Sequence, residues 1–187
     1  MVPDRLEAPA VTLIYCPHTF RHEPTWDVLD ALDRSFCVVP VPLQGPNDYL
    51  AHLEARWSEG VAFVNIEHDI VTTPASIALV AGCKRDWCWH PYEGVTEPQP
   101  INLGLTKFSA TFIASTPHLW TDFASSSKVT RARWQRQPTW EMLDGWIAPY
   151  AQERGIWPHD HWPPVINARP EGVERMRDDS MAGFLHG

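Results

Sequence analysis

Positive charge is scarce in this 187-residue chain: 15 Lys and Arg stand against 23 Asp and Glu, for a formal net charge of −8. Such a balance gives no global attraction for polyanions and leaves only a local basic strip as a route to nucleic acid. Long apolar runs are missing as well. No stretch reaches the roughly 18 apolar residues of a membrane span, and the longest uncharged stretch near the middle, Ile70 to Cys83, is broken by Thr72, Thr73 and Pro74. Met1-Val2-Pro3-Asp4-Arg5 lacks the basic-then-apolar order of a secretion signal. A cytoplasmic protein with no membrane partner is expected. Cysteine is sparse: Cys16, Cys37, Cys83 and Cys88. A chain this long does not need disulfides, and a reducing compartment would not keep them. Cys83-x4-Cys88-x-His90 brings three donors together with a loose cysteine pair. Structural zinc sites usually use four ligands and closer pairs, so buried free thiols are the preferred reading.

What is present is the composition of a globular protein, 44% hydrophobic and 20% charged. The length suits a single domain spanning 1–187. Its most informative feature is Glu67-His68-Asp69, directly after the apolar run Val61-Ala62-Phe63-Val64-Asn65-Ile66. Ligands collect at the carboxyl ends of strands in open α/β sheets. Strand alternation would put Asn65, Glu67 and Asp69 on one face, and His68 on the other with Val64 and Ile66. Two carboxylates at one strand tip suit a divalent cation that bridges a diphosphate.

The surrounding order is β-α-β-α-β, the pattern of a parallel sheet with helices on its faces. Val11 to Tyr15 reads as a strand leading into a loop, Cys16 to Arg21, that contains Pro17 and no glycine. Thr25 is read as the N-cap of a helix through Val28, Leu29 and Leu32. Phe36 to Val41 is a second strand closed by Pro42, and Asn47 or Asp48 caps a helix that ends at Gly60. Pro74 to Val80 is a helix with proline in its first turn, and Asp86 to Tyr92 is extended. Gly94 to Pro100 is a loop. Gly104 marks a turn or a close backbone approach before Leu105 to Phe112. Helices are expected over 116–123 and 139–150, with a mobile Ser125-Ser126-Ser127-Lys128 linker between them. The segment 155–167 is irregular and rich in His, Trp and Pro, and 170–187 is a polar tail.

Taken together, these pieces resemble the small GT-A type (family 2-like) glycosyltransferases of bacterial and phage kind, over roughly residues 11–167. Phe63-Val64-Asn65-Ile66-Glu67-His68-Asp69-Ile70 is similar to the strand and Asp-x-Asp motif of that family, with Glu in place of the first Asp. Trp87-Cys88-Trp89-His90-Pro91-Tyr92 and Leu103-Gly104-Leu105-Thr106-Lys107-Phe108-Ser109 resemble its next extended segments. Trp140-Glu141-Met142-Leu143-Asp144 resembles the acceptor-side helix that carries a catalytic acid. His159-Asp160-His161-Trp162-Pro163-Pro164-Val165 resembles the segment whose histidine completes the metal shell. The chain is short for the fold.

The resemblance implies a nucleotide-sugar half at 11–83, an acceptor half at 84–169, and a nucleotide-diphospho-sugar donor held through Mn2+ or Mg2+. Asp69 is then the metal ligand, and Glu67 contacts the ion or the ribose. His161, or else His159, completes the shell; an imidazole ligand favours Mn2+. Tyr15, His18 and Arg21 lie where base, ribose and phosphate would sit, and Lys107 is a further phosphate contact. Asp144 is the expected general base toward an acceptor hydroxyl, with Glu141 one turn away. His68 is read as a packed histidine. Eight of the ten tryptophans lie from Trp87 onward; most are expected in the core, with Trp140 and Trp162 as candidates for stacking on a sugar or base. Lys128, Arg131, Arg133 and Arg136 around Trp134 form the one local basic run. It reads first as a solvated segment, or else as a contact to an acceptor such as modified DNA. Two rival readings stand: a nucleotidyltransferase-like enzyme, disfavoured by the glycine-free first loop, and a non-catalytic binding protein on the same fold.

Overall fold

A computed structural model describes residues 11–93, 101–126 and 140–168. The chain is an α/β protein built on a six-stranded, mostly parallel sheet. Its first half alternates β1 (Thr12–His18), α1 (Glu23–Asp30), β2 (Phe36–Pro42), α2 (Pro46–Ser58) and β3 (Phe63–Ile66). A short β4 (Ile70–Val71) leads to α3 (Pro74–Gly82) and β5 (Trp87–Trp89). The second half holds β6 (Leu105–Phe108), α4 (Ala110–Ser115), α5 (Leu119–Ser125), α6 (Trp140–Gln152), β7 (His159–Asp160) and β8 (Ile166–Asn167). The strand order is β2-β1-β3-β6-β5-β7, with β4 and β8 in a separate antiparallel pair. β6 alone runs against its neighbours β3 and β5.

Two strands carry prolines, and the pairing explains why they are tolerated. β1 pairs with β2 along its whole length but with β3 only at Ile14 and Tyr15. Beyond Tyr15 one side of β1 is unpaired, so the strand runs through Pro17 to His18, further than its apolar residues indicate. Pro40 and Pro42 sit in β2, an edge strand, where a missing N–H breaks no ladder.

Each face of the sheet has its own core. On one, Tyr49, Leu53 and Trp57 of α2 pack with Tyr15, Phe63, Phe108, Phe112 and residues of α4 to α6. Trp57 meets the rings of Phe63, Phe108, Phe112 and Trp120 edge-on, and Trp87 stacks on Phe108 and Phe112. In α6, Leu143, Ile147, Tyr150 and Ala151 are buried at helical spacing. On the other face, α1 and α3 cover Ile14, Cys16, Val64, Ile66, Cys88 and Leu105. The crossover helices α1 and α2 therefore leave the neighbouring strands β1 and β2 toward opposite faces, and that divergence opens a crevice at the strand ends.

Helix starts differ from the sequence expectation where a side chain found a better partner. α1 begins at Glu23 after His22, and Thr25 is buried inside its first turn. The Thr25 hydroxyl donates to the Ile70 carbonyl at 3.0 Å, which ties α1 to β4. Gly45 is the N-cap of α2, and Asp48 accepts from the N–H groups of Gln44 and Gly45 at 2.7 and 3.0 Å. α3 is capped by Thr73, whose hydroxyl accepts from Ser76 N–H. Gly104 is a close-approach glycine: a Cβ there would lie 2.2 Å from Tyr92 Oη and 2.7 Å from Ile70 Cδ1. The expected loop at 94–100, the basic run at 128–136, Ser127 with Lys128, and the tail 170–187 lie outside the described residues. Among the described residues no helix is long and apolar enough to cross a membrane.

Candidate functional site

The carboxyl ends of β1, β2 and β3 border a cavity of about 390 Å³. Pro17 ends β1 with His18 and Thr19 follows it, Leu43, Gln44 and Gly45 follow β2, and Glu67 and His68 follow β3; Tyr49 of α2 completes the wall. Glu67 is the buried carboxylate on its wall. β3 ends at Ile66, and Glu67 opens a turn whose Ile70 N–H returns to the Glu67 carbonyl at 3.1 Å. Glu67 N–H donates to the Gly104 carbonyl, so the backbone on both sides of the residue is fixed.

A chain of polar contacts holds the Glu67 carboxylate. Asn65 is fully buried; its Nδ2 donates to Tyr49 Oη at 3.0 Å and to the Leu103 carbonyl at 2.9 Å. The Tyr49 hydroxyl in turn donates to Glu67 Oε1 at 2.9 Å. Tyr92 contributes a second hydroxyl to Glu67 and is itself bonded by Asn167. Even so, burial pushes the Glu67 carboxyl up to about 7, the charge of Asp69 adding to the rise, against the lowering effect of the two hydroxyls. Burial raises the Tyr49 and Tyr92 hydroxyls as well, and the charges of Glu67 and then Asp144 add to both. Asp144, half-buried on α6, thus acts on the same two tyrosines as Glu67.

The structure brings Glu67, Asp69 and Asp144 to this end of the sheet. Asp69 is half-buried in the turn, and its carbonyl accepts from Ala168 N–H at 2.8 Å. His68 lies on the cavity wall as a packed ring, edge-on to Phe20 at 4.4 Å, with burial lowering its pKa.

The other expected residues are elsewhere. Tyr15 is buried against Phe63 and His52, and its hydroxyl accepts from Arg56. It shares the sheet face of Asn65 but lies within the strand, short of its carboxyl end, so it packs into the α2 core rather than the cavity. His18 packs edge-on against Trp26. Arg21 is exposed, paired with Glu23 and Asp30 at 3.3 Å and laid over the Trp26 ring. None of these three lines the cavity. Lys107 is opposite Val64 in the β3–β6 register, on the face away from Asn65 and Glu67, and its ammonium donates to the Cys83 carbonyl. Trp162 is 65% exposed, and the Trp140 side chain is outside what the structure describes.

His161 is buried, in different company from that expected. Cys83, Cys88, His159 and His161 each offer one ligand atom, and these atoms lie within 4.8 Å of one another. This group could hold a metal ion, and among the described residues it is the one cluster of three or more His, Cys, Asp or Glu donors that could do so. Cys88 and His159 face each other directly in the parallel β5–β7 register. The sequence shows Cys83-x4-Cys88 and His159-x-His161 as separate weak pairs about 70 residues apart; what sequence reasoning missed is that one strand pairing joins them. Tyr49 and Tyr92 were missed for the same reason, since each reaches Glu67 across the fold.

No protein-family model matches this sequence, and comparison with curated proteins and with solved structures gave no match.

Proposed function

We propose that the strand-end crevice binds a nucleotide-diphospho-sugar donor through a divalent cation and transfers the sugar to a hydroxyl acceptor. The observation that carries this reading is the cavity of about 390 Å³ at the ends of three parallel strands, with the buried Glu67 carboxylate in its wall. Such a crevice is the usual ligand position in an open α/β sheet. The start of α2 forms part of the wall through Gln44 and Gly45, and a helix N-terminus favours an anionic group.

The carboxylates at the site would repel a diphosphate, so a cation held by Glu67 and Asp69 is an electrostatic requirement of this reading. Glu67 and Asp69 supply hard oxygen donors, and their mutual repulsion is the part of the Glu67 shift that a bound cation would relieve. A two-carboxylate set suits Mn2+ or Mg2+, whose remaining positions go to water and phosphate oxygens. When bound, the ion neutralises charge on the departing diphosphate. Tyr49, Tyr92 and Asn65 hold the Glu67 oxygens in place. Asp144 takes the acceptor hydroxyl proton as the acceptor oxygen bonds to the anomeric carbon; the bond from that carbon to the diphosphate breaks, and its electron pair leaves with the diphosphate.

The test is a panel of nucleotide sugars in a thermal-shift assay, with and without Mn2+, followed by turnover measurements with the donor that binds. A ligand at 100 times its Kd stabilises by about 2.7 kcal/mol. Metal-dependent stabilisation lost in Asp69→Ala supports the reading. A panel with no shift, or shifts unchanged by Asp69→Ala, refutes it.

A further inference from the structure

We propose that Cys83, Cys88, His159 and His161 bind one Zn2+ as a closed tetrahedral site that clips the C-terminal segment to the edge of the central sheet. The site is independent of the strand-end crevice and of the sugar-transfer reading.

Backbone pairing assembles the donors. Cys83 is the C-cap of α3 and adopts an extended conformation, φ −63° and ψ 138°, that turns the chain back toward β5. Arg85 N–H donates to Cys83 Sγ at 3.5 Å. Cys88 is at the centre of β5, and the parallel ladder sets it opposite His159. His161 N–H extends that ladder to the Trp89 carbonyl at 2.9 Å. Residues two apart on a strand share a face, so both imidazoles reach the side that carries the thiols. Cys83 Sγ is 3.3 Å from His159 Nδ1.

The dimensions fit zinc. With Zn–S near 2.3 Å and Zn–N near 2.0–2.1 Å, donors around a tetrahedral ion are roughly 3.3–3.8 Å apart. A set already within 4.8 Å closes on an ion by side-chain adjustments of about 1 Å. A second observation points to a ligand. His161 is only 7% exposed, and its Nε2 is buried with no hydrogen-bond partner among the described residues. Two thiolates and two imidazoles select Zn2+ over Mg2+ or Mn2+, which prefer oxygen. Four protein donors leave no open position, so this zinc has a structural role.

The segment that the clip holds packs against the turn after β3. After His161, Val165 N–H donates to the Pro91 carbonyl, β8 pairs with β4, and Ala168 N–H donates to the Asp69 carbonyl. Asn167 bonds the Tyr92 hydroxyl that supports Glu67. Zinc therefore anchors the chain just before it lines the turn that carries Glu67 and Asp69.

The experiment measures metal by mass spectrometry in purified full-length protein, together with a free-thiol count. One zinc per chain is expected, with release on mercurial titration of the thiols. Co2+ substituted for zinc should show thiolate-to-metal charge-transfer and tetrahedral d–d absorption. C83S/H159A alters the half-exposed and exposed ligands and should keep the fold while losing the zinc; C88S should lose it too. Stripping zinc should speed amide exchange across 159–168 and lower Tm. Protein that neither contains nor takes up one equivalent of Zn2+ or Co2+ overturns the proposal. So does a Cys83–Cys88 disulfide found without metal, or a full equivalent of zinc retained by C83S/H159A.

Discussion

Replacing Glu67 by Gln should change how stability depends on pH. In the folded chain burial and the charge of Asp69 push this carboxyl up to about 7, against an ordinary value of 4.5. A group with a raised folded pKa binds its proton more tightly when folded. Its stabilising effect is complete below about 4.5 and is lost as pH rises to about 7. That gap corresponds to on the order of 3 kcal/mol. Gln cannot titrate, and its amide oxygen can still accept from Tyr49. Glu67→Gln should therefore gain stability relative to the native chain by roughly 3 kcal/mol between pH 4.5 and pH 7.5. For a chain of this size each 1 kcal/mol moves Tm by about 2–4 °C, so the two melting curves should separate by roughly 6–12 °C over that range. The assay is urea or thermal unfolding of both proteins across the pH series, in chelator. Parallel pH profiles would refute the assignment of a strained, buried carboxylate at the strand tip. Repeating the series with Mn2+ adds a second readout: a cation at Glu67 and Asp69 favours the charged carboxylate and should flatten the native slope.

Four further outcomes follow from the structure. Asp144→Asn should lower kcat for sugar transfer by about 10²- to 10⁴-fold with little change in donor affinity, since a general base acts in the transition state; equal turnover removes Asp144 from the mechanism and makes Glu141 the next carboxylate to test. Gly104→Ala should destabilise by about 1–3 kcal/mol through overpacking, because the added methyl overlaps Tyr92 Oη; adding Tyr92→Phe should recover part of that loss in thermal melts. Phe108→Ala should cost about 3–5 kcal/mol, since the ring is 1% exposed among Trp57, Phe63, Trp87 and Phe112. Arg21→Ala should leave the thermal unfolding midpoint unchanged within measurement scatter, because both of its ion pairs are more than half exposed and screened by solvent.

How much of this was legible beforehand depends on how far each contact reaches along the chain. The β-α-β-α-β half could be read from local apolar periodicity, and every element of it is present within a few residues of its expected place. Gly104 was marked as a close approach because an isolated glycine beside strand residues has few other uses. Thr25 shows the limit of local rules. It looks like an N-cap by residue type, and it is instead buried because the Ile70 carbonyl, 45 residues away, takes its hydroxyl proton. Lys107 shows the same limit for sites: its register opposite Val64 turns it to the face away from Glu67, and register between strands is not encoded locally in the sequence. The cysteine and histidine pairs each fell short of a recognisable spacing, since half of the donors arrive through the β5–β7 pairing.

The two proposed donor sets differ in hardness and in position. Glu67, on the cavity wall, and Asp69 follow β3, and as the proposed set they would leave coordination positions for water and phosphate and match an ion that must exchange with its ligand. Thiols and imidazoles at the β5–β7 edge surround a point from four sides and match an ion that stays. The two requirements oppose each other, because a site that saturates its ion cannot share it with a substrate. His161 cannot serve both: its ring is committed to the thiol side, where His159 packs against it at 4.6 Å between centroids. On the two proposals together His161 belongs to the clip, and the crevice would complete its ion shell from Glu67, Asp69, water and the donor's own phosphates, which predicts weak cation affinity at the crevice without nucleotide. Titration of Mn2+ alone and with a nucleoside diphosphate, in protein whose zinc is left in place, measures that coupling. Tight Mn2+ binding in the absence of nucleotide would contradict it.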